Sequence, residues 1–82
     1  MALVPVYGFV RGDTLGVVVL AHDGDTVAQL GRALLDAVAV RIAPAPHLRV
    51  YRGELELAPE QTLMQAGVKA LDRIDLVLEQ TP

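Results

Sequence analysis

The stretch DTVAQLGRALLDAVAV, Asp25–Val40, decides the fold because it has the pattern of one amphipathic helix between strand-like segments. Its apolar residues recur at steps of three and four and form a single stripe on a 3.6-residue period; they are Val27, Leu30, Leu34, Ala37 and Val38. Asp25 or Thr26 can cap the first turn, and Thr26 with Gln29 fits a capping box. Pro44 forbids continuation of the helix. An isolated helix of about four turns is marginal in water, so the flanking segments must provide a surface for it.

The segments on both sides of the helix carry the alternation of apolar and polar residues that predicts strands. The predicted strands are Leu3–Val10, Thr14–Ala21, His47–Arg52, Glu54–Leu57 and Arg73–Glu79. A short helical turn is predicted from Leu63, with Gly67 as its stop. The order is therefore β-β-α-β-β-(short helical turn)-β. One helix packed on a mixed sheet in this order predicts an α+β, β-grasp (ubiquitin-like) fold, with residues 1–82 as a single domain.

Composition excludes several classes of function. The net charge is −3 with no cluster of Lys or Arg, which disfavours a nucleic-acid groove or an anionic membrane as partner. The chain has no cysteine, so neither disulfides nor thiolate metal sites are available. No signal peptide or spanning segment is evident, and we expect a cytoplasmic protein. Apolar residues make up 52% of the chain and the mean hydropathy is +0.40. These values are high for a small domain and predict that part of its surface is covered by another protein.

The second predicted strand is apolar on both of its faces, with Val17 and Val19 on one side and Val18 and Leu20 on the other. A sheet with one solvated face alternates more cleanly, so both faces of this sheet are expected to be covered. The third strand carries a basic and aromatic group, which is either a solvated strand face or a contact patch; its members are Arg49, Tyr51 and Arg52. We predict an interface on the sheet face away from the helix; its candidate residues are Val18, Arg49, Tyr51 and Val77.

No residue pattern indicates chemistry within the chain. His22, Asp23 and Asp25 lie close together, but the spacing of a calcium loop is lacking and a turn with a helix cap is the expected role. His47 has no second histidine or carboxylate at ligand spacing and is expected to be solvated or interfacial. Gly-rich phosphate loops, metalloprotease motifs and nucleophile elbows are not found in the sequence. We expect no catalytic, cofactor-binding or metal-binding residue here, which leaves open whether the chain belongs to an enzyme complex.

The sequence resembles the small (gamma) subunit of the hydroxylase in bacterial multicomponent toluene and alkene monooxygenases. The likeness runs from Val4 to Glu79 and rests on the order and spacing of several short pieces; these are Arg41–Pro44, Leu48–Val50, Leu57–Pro59, Thr62-Leu63, Ala66–Val68 and Arg73–Glu79. An Ala-rich helix and a shorter turn near Gly53 depart from the family pattern, which leaves the substrate and the regiochemistry open.

The resemblance implies a ubiquitin-like, non-catalytic subunit that docks on the large α subunit in an (αβγ)2 hydroxylase with α and β subunits. It places a carboxylate-bridged diiron centre in the α subunit. It also implies that electrons from NADH arrive through a reductase and a Rieske-type ferredoxin, for oxidation of aromatic or alkene hydrocarbons.

Two alternative functions for a ubiquitin-like domain imply partners other than a hydroxylase. A free-standing ubiquitin-like adaptor would be a stable monomer with little exposed apolar area. A ubiquitin-like modifier or sulfur carrier needs a C-terminal Gly-Gly for adenylation, whereas this sequence ends in Glu79-Gln80-Thr81-Pro82. We therefore expect no carrier chemistry.

Overall fold

A computed structural model describes residues 2–12, 16–39 and 47–79 of the chain. Within them one helix and five strands follow the predicted order; they are β1 (Leu3–Val10), β2 (Val17–His22), α1 (Val27–Ala37), β3 (His47–Arg52), β4 (Leu55–Leu57) and β5 (Arg73–Glu79). The bounds of β1, β3 and β5 are those predicted from the sequence. No helix among the described residues is long and apolar enough to cross a membrane.

The strands form one mixed sheet in the order β2-β1-β5-β3-β4. The β1–β5 pair is parallel, and the other pairs are antiparallel. Helix α1 connects the first hairpin to β3 and contacts four of the strands, which places it on one face of the sheet. The predicted α+β β-grasp architecture is confirmed.

Helix α1 begins at the predicted capping box. The Thr26 side chain accepts a hydrogen bond from the Gln29 backbone N–H, and the Gln29 side chain accepts one from the Thr26 backbone. Thr26 rather than Asp25 is therefore the N-cap. The helix ends at Ala37, three residues before the predicted end; Val40 and Pro44 lie outside the described residues.

The apolar stripe of α1 packs onto the sheet and forms the core. Val27, Leu30 and Leu34 are almost completely buried, as predicted. Ala37 is exposed, which corrects the predicted stripe: the last turn instead buries Leu35, beside the stripe. The sheet contributes alternate residues from its two central strands to the same core; these are Val4, Val6, Val10, Ile74 and Leu76.

Gly8, which has no side chain, lets the helix approach β1. A Cβ atom built on Gly8 would overlap the side chain of Leu34. Gly8 lies opposite Val17 in β2 and Ile74 in β5, so it sits in the interior of the sheet. Glycine in a strand interior weakens the strand but permits this close contact.

The connection between β4 and β5 holds the start of the helix. Thr62 and Gln65 form a second capping box, and Gly67 ends the short turn with a φ of 77°. The Val68 N–H bonds to the Leu63 carbonyl and the Gly67 N–H to the Met64 carbonyl, which is the Schellman pattern. The predicted turn from Leu63 to Gly67 is confirmed.

This connection bonds directly to the residues around the N-cap of α1. The Val27 N–H donates to the Gln61 carbonyl at 2.8 Å, and the Leu63 N–H donates to the Asp25 carbonyl at 2.8 Å. Thr26 and Thr62 form an isolated antiparallel bridge. The helix start is thus fixed by backbone bonds that sequence periodicity alone does not predict.

The second strand differs from its prediction. Strand β2 covers Val17–His22, whereas Thr14–Ala21 was predicted, because pairing with β1 continues to the Leu3–His22 pair. The predicted residues 14 and 15 and the predicted turn residue Asp13 lie outside the described part of the chain.

Leu34→Ala should destabilise the fold by about 2–5 kcal/mol, because Leu34 is fully buried and its truncation leaves a cavity. The matched control is Leu20→Ala, since Leu20 is 68% exposed and a surface change costs within about 0.5 kcal/mol. Chemical denaturation followed by circular dichroism measures both. Equal losses at the two positions would show that the core has been assigned to the wrong face.

Candidate interaction surface

The face of the sheet away from α1, here named the open face, carries all four residues predicted as an interface. Val18 lies on β2, Val77 on β5, and Arg49 and Tyr51 on β3. Each alternates along its strand with a residue that packs in or against the core, such as Leu76 beside Val77. The structure places Arg49 opposite Val77, but β1 separates Val18 from Val77, and both β1 and β5 separate it from Arg49 and Tyr51. The four residues therefore occupy two different halves of the open face.

The half formed by β1 and β2 is an apolar patch. Its large side chains are exposed by 61% at Leu3, 44% at Tyr7, 56% at Val18 and 68% at Leu20. Tyr7 is opposite Val18 and Pro5 is opposite Leu20, so these side chains are neighbours across the strands. The exposed fractions correspond to roughly 400 Å² of surface, a size at which the largest apolar patch of a monomer is often functional.

The half formed by β3 and β5 is held by ion pairs around Arg49. Its guanidinium lies 2.8 Å from a carboxylate oxygen of Glu79 and 3.9 Å from one of Glu56. A hydrogen bond with the Tyr51 side chain, followed by the charges of Glu79 and Glu56, raises the pKa of Arg49 above its ordinary value. The Arg11 guanidinium lies 5.7 Å from the centre of the Tyr51 ring. In this part of the open face, the charge of Arg49 is therefore paired with carboxylates of the same chain.

A second arginine covers the middle of the open face. The Arg73 guanidinium stacks 4.2 Å above the centre of the Phe9 ring and bonds to Asp75 at 3.1 Å. Phe9 in turn lies over Gly16, where a Cβ atom would meet the ring at 2.7 Å. Cation–π contacts of this kind contribute about 0.5–1 kcal/mol at exposed sites. The polar half therefore begins at Arg73, next to the Tyr7 edge of the apolar patch.

Arg52 does not belong to the group predicted with Arg49 and Tyr51. Side chains alternate along β3, and the Arg52 Nε donates to the Asp72 carboxylate at 3.1 Å. Asp72 Oδ2 also accepts a bond from the Lys69 N–H at 2.9 Å. Arg52 thus ties β3 to the connection before β5, and the predicted basic and aromatic group is divided between two sides of the sheet.

The predicted turn at His22–Asp25 is a hydrogen-bonded turn in the structure. The Asp25 Oδ2 accepts from the His22 backbone N–H at 2.9 Å, and the Asp25 N–H donates to the His22 carbonyl at 3.0 Å. Within the described ranges no three His, Asp or Glu side chains are grouped so that they could hold a metal ion.

An open cleft of about 490 Å³ lies beside α1 at the edge of the sheet formed by β3. It is lined by Gly31 and Leu48 on the helix side of the sheet and by Glu56 on the open face. This cleft is not predicted by the sequence pattern, because it arises where the short strand β4 leaves the first half of β3 unpaired on that side.

Val18 is predicted from the sequence as an interface residue, and Leu20 is placed on the same face of its strand. Two other residues of the apolar patch, Leu3 and Tyr7, are not predicted from the sequence. The signal that could have found them is the pairing of β1 with β2: alternate residues of β1 share the face of Val18 once the register of the hairpin is known.

The fold is the ubiquitin-like β-grasp. The chain superimposes on Caldiarchaeum subterraneum ubiquitin with a TM-score of 0.76 at 16% identity, covering 98% of each chain. It superimposes on a ubiquitin-like domain from Arabidopsis thaliana with a TM-score of 0.72 at 18% identity, covering 100% of this chain and 82% of that one.

A narrower relationship comes from the sequence itself. The family model of toluene-4-monooxygenase system protein B matches residues 3–78, and the chain belongs to this family. A chain in the structure of the toluene 4-monooxygenase HD complex with the inhibitor 4-bromobenzoate superimposes with a TM-score of 0.86 at 23% identity, covering 95% of this chain and 100% of that chain. No curated protein sequence matches. The protein is thus a component of a monooxygenase system, as the resemblance predicted.

The double substitution Val18→Ser with Leu20→Ser should lower the fluorescence of an apolar dye bound to the isolated chain, because it removes two of the exposed side chains of the patch. Leu55→Ser is the control, because Leu55 is 62% exposed. It lies on the helix side of the sheet, since it is two residues from the buried Leu57 in β4. If the control lowers the signal as much as the double variant, dye binding does not report the patch.

Proposed function

We propose that the chain is the non-catalytic gamma subunit of a diiron monooxygenase hydroxylase that oxidises aromatic or alkene hydrocarbons, and that it docks on the large α subunit through the open face. Membership in the toluene-4-monooxygenase system protein B family supports the assignment. The structural likeness to a chain of the toluene 4-monooxygenase complex, over the whole of that chain, agrees with it.

The apolar patch carries the docking proposal. Four large side chains are exposed side by side on a sheet whose other face is covered by α1. Burial of such a surface contributes about 25 cal/mol per Å², which makes it a source of binding free energy that the isolated chain leaves unused. Val18 lies within this patch, directly opposite Tyr7.

The polar half of the open face fits the role of a rim. Interfaces usually combine an apolar centre with a polar, solvent-accessible border, and Tyr and Arg are enriched in interfaces as a whole. Arg49 is already ion-paired with Glu79 and Glu56, and Val77 is half-buried opposite Arg49. Docking there needs little reordering of side chains, so Arg49, Tyr51 and Val77 specify orientation more than they supply affinity.

The chemistry is assigned to other subunits. In this proposal no step of the reaction takes place in this chain. In this proposal a carboxylate-bridged diiron centre lies in the α subunit, and NADH supplies electrons through a Rieske ferredoxin. The gamma subunit contributes to an (αβγ)2 assembly with the α and β subunits, in the cytoplasm, without contact to nucleic acid or membrane.

Leu20→Asp should weaken binding of the gamma subunit to the large α subunit by about tenfold or more, because it places a charge in the apolar patch that docking would bury. Leu55→Asp is the matched control, with similar exposure on the helix side of the sheet. Affinity can be measured by biolayer interferometry with immobilised α subunit, with thermal unfolding of each variant as a check on folding.

Unchanged affinity for a folded Leu20→Asp variant would place the docking surface elsewhere. A native chain that shows no affinity for the α subunit, and behaves as a monomer without dye binding, would instead favour the ubiquitin-like adaptor.

A further inference from the structure

The two edges of the sheet are protected to different degrees. One edge is β4, which has only three residues and carries the exposed Glu56 after the exposed Glu54. The other edge is β2, which has six residues and no Asp, Glu, Lys, Arg or Pro. Short length and charge are the devices by which proteins prevent an edge strand from pairing with another chain. Strand β2 lacks both devices.

The hydrogen bonds of β1 show which backbone groups of β2 point outward. Tyr7 and Arg11 donate to carbonyls of Asp72 and Leu76, so the odd-numbered residues of β1 bond towards β5. The even-numbered residues of β1 therefore bond towards β2. Their partners in the register are the odd-numbered residues of β2; these are Val17, Val19 and Ala21.

The backbone N–H and C=O groups of Val18, Leu20 and His22 consequently face away from β1. Those of His22 are used in the local turn with Asp25. Among the described residues nothing bonds to the outward groups of Val18 and Leu20. These two residues also have side chains that are 56% and 68% exposed, so the same short segment leaves both polar and apolar groups without a partner.

We propose that β2 is a self-association edge: in the absence of other subunits, two copies of the chain pair antiparallel through β2, with the two-fold axis at Val19. In an antiparallel pair, the side chains of directly opposite residues lie on the same face of the sheet. In a symmetric pair, even-numbered residues of one copy must therefore lie opposite even-numbered residues of the other, and odd-numbered residues opposite odd-numbered ones. With the axis at Val19, Val18 of one copy faces Leu20 of the other, and Val17 faces Ala21.

This register matches donors to acceptors. Val18 and Leu20 of opposite copies form hydrogen-bonded pairs, which exchange both of their N–H···O=C bonds, so every outward group of the two residues gains a partner. The side chains of Val18 and Leu20 meet across the seam on the open face. A second copy therefore satisfies this edge without any group being left over.

Charge and packing permit the same arrangement. The chain carries a net charge of −3, yet β2 contains no acidic or basic residue other than His22 at its end, so two copies meet there without close repulsion. On the helix side Val17 and Val19 are only half-buried, although they pack against the core. The helix thus leaves the rim of β2 partly uncovered, and a neighbouring strand would cover it. This inference does not depend on the proposed function.

Hydrogen exchange of the full-length native chain at increasing concentrations tests the pairing directly. The amides of Val18 and Leu20 should become slower to exchange as concentration rises, while those of Val17, Val19 and Ala21, which bond to β1, should not change. Sedimentation equilibrium on the same samples should show a monomer–dimer transition. A chain that stays monomeric, or dimers in which the Val18 and Leu20 amides remain unprotected, would overturn the proposal.

Two variants separate edge pairing from contact between side chains. Leu20→Pro removes the outward N–H of residue 20 but no hydrogen bond to β1. Each copy then loses one hydrogen bond to the other copy, which should weaken the dimer by about thirtyfold. Leu20→Ala keeps the amide and should weaken it less. Equal weakening by both folded variants would assign the association to the apolar patch rather than to the edge. A β2 that pairs only with a strand of the large subunit, and never with its own copy, would also contradict the inference.

Discussion

The contact between one helix and one sheet determines most of this structure. Helix α1 buries Leu30 and Leu34 against the central strands, and the absence of a side chain at Gly8 lets Leu34 reach the sheet. A single helix can cover only one face of a five-stranded sheet. Among the residues that the structure describes, no second layer covers the other face. What lies on that face therefore determines what the domain can do.

The open face is divided by chemistry. Its β3–β5 half is occupied by arginines that pair with carboxylates and stack on aromatic rings, notably Arg49 with Glu79 and Arg73 with Phe9. Surface ion pairs contribute little to stability, about 0–1 kcal/mol each, but they keep this half soluble and ordered. Around Tyr7 and Val18 the described residues form no ion pair, and this part of the open face holds four of the seven large apolar side chains that are exposed in the described part of the chain. This division gives a physical reason for membership in a multi-subunit system.

The sequence predicts the architecture well because periodicity and capping are local. The alternation in Arg73–Glu79 and the Thr26–Gln29 capping box can be read from neighbouring residues, and both are confirmed. The grouping of surface residues depends on register and strand order, which are not local. Val18 and Tyr51 were thus predicted as parts of one surface, although two strands separate them. Arg52 was grouped with Tyr51 for the same reason, and its bond to Asp72 spans 20 residues of sequence.

Hydroxyl-radical footprinting of Tyr7 in the free chain and in the assembled hydroxylase tests directly whether the open face is buried on assembly. Tyr7 is 44% exposed and lies within the apolar patch, whereas Met64 is 66% exposed on the connection that holds the start of α1. We expect oxidation of Tyr7 to fall strongly on assembly, while oxidation of Met64 changes little. If Tyr7 is as reactive in the complex as in the free chain, the open face is solvent-exposed in the working assembly and the account is contradicted.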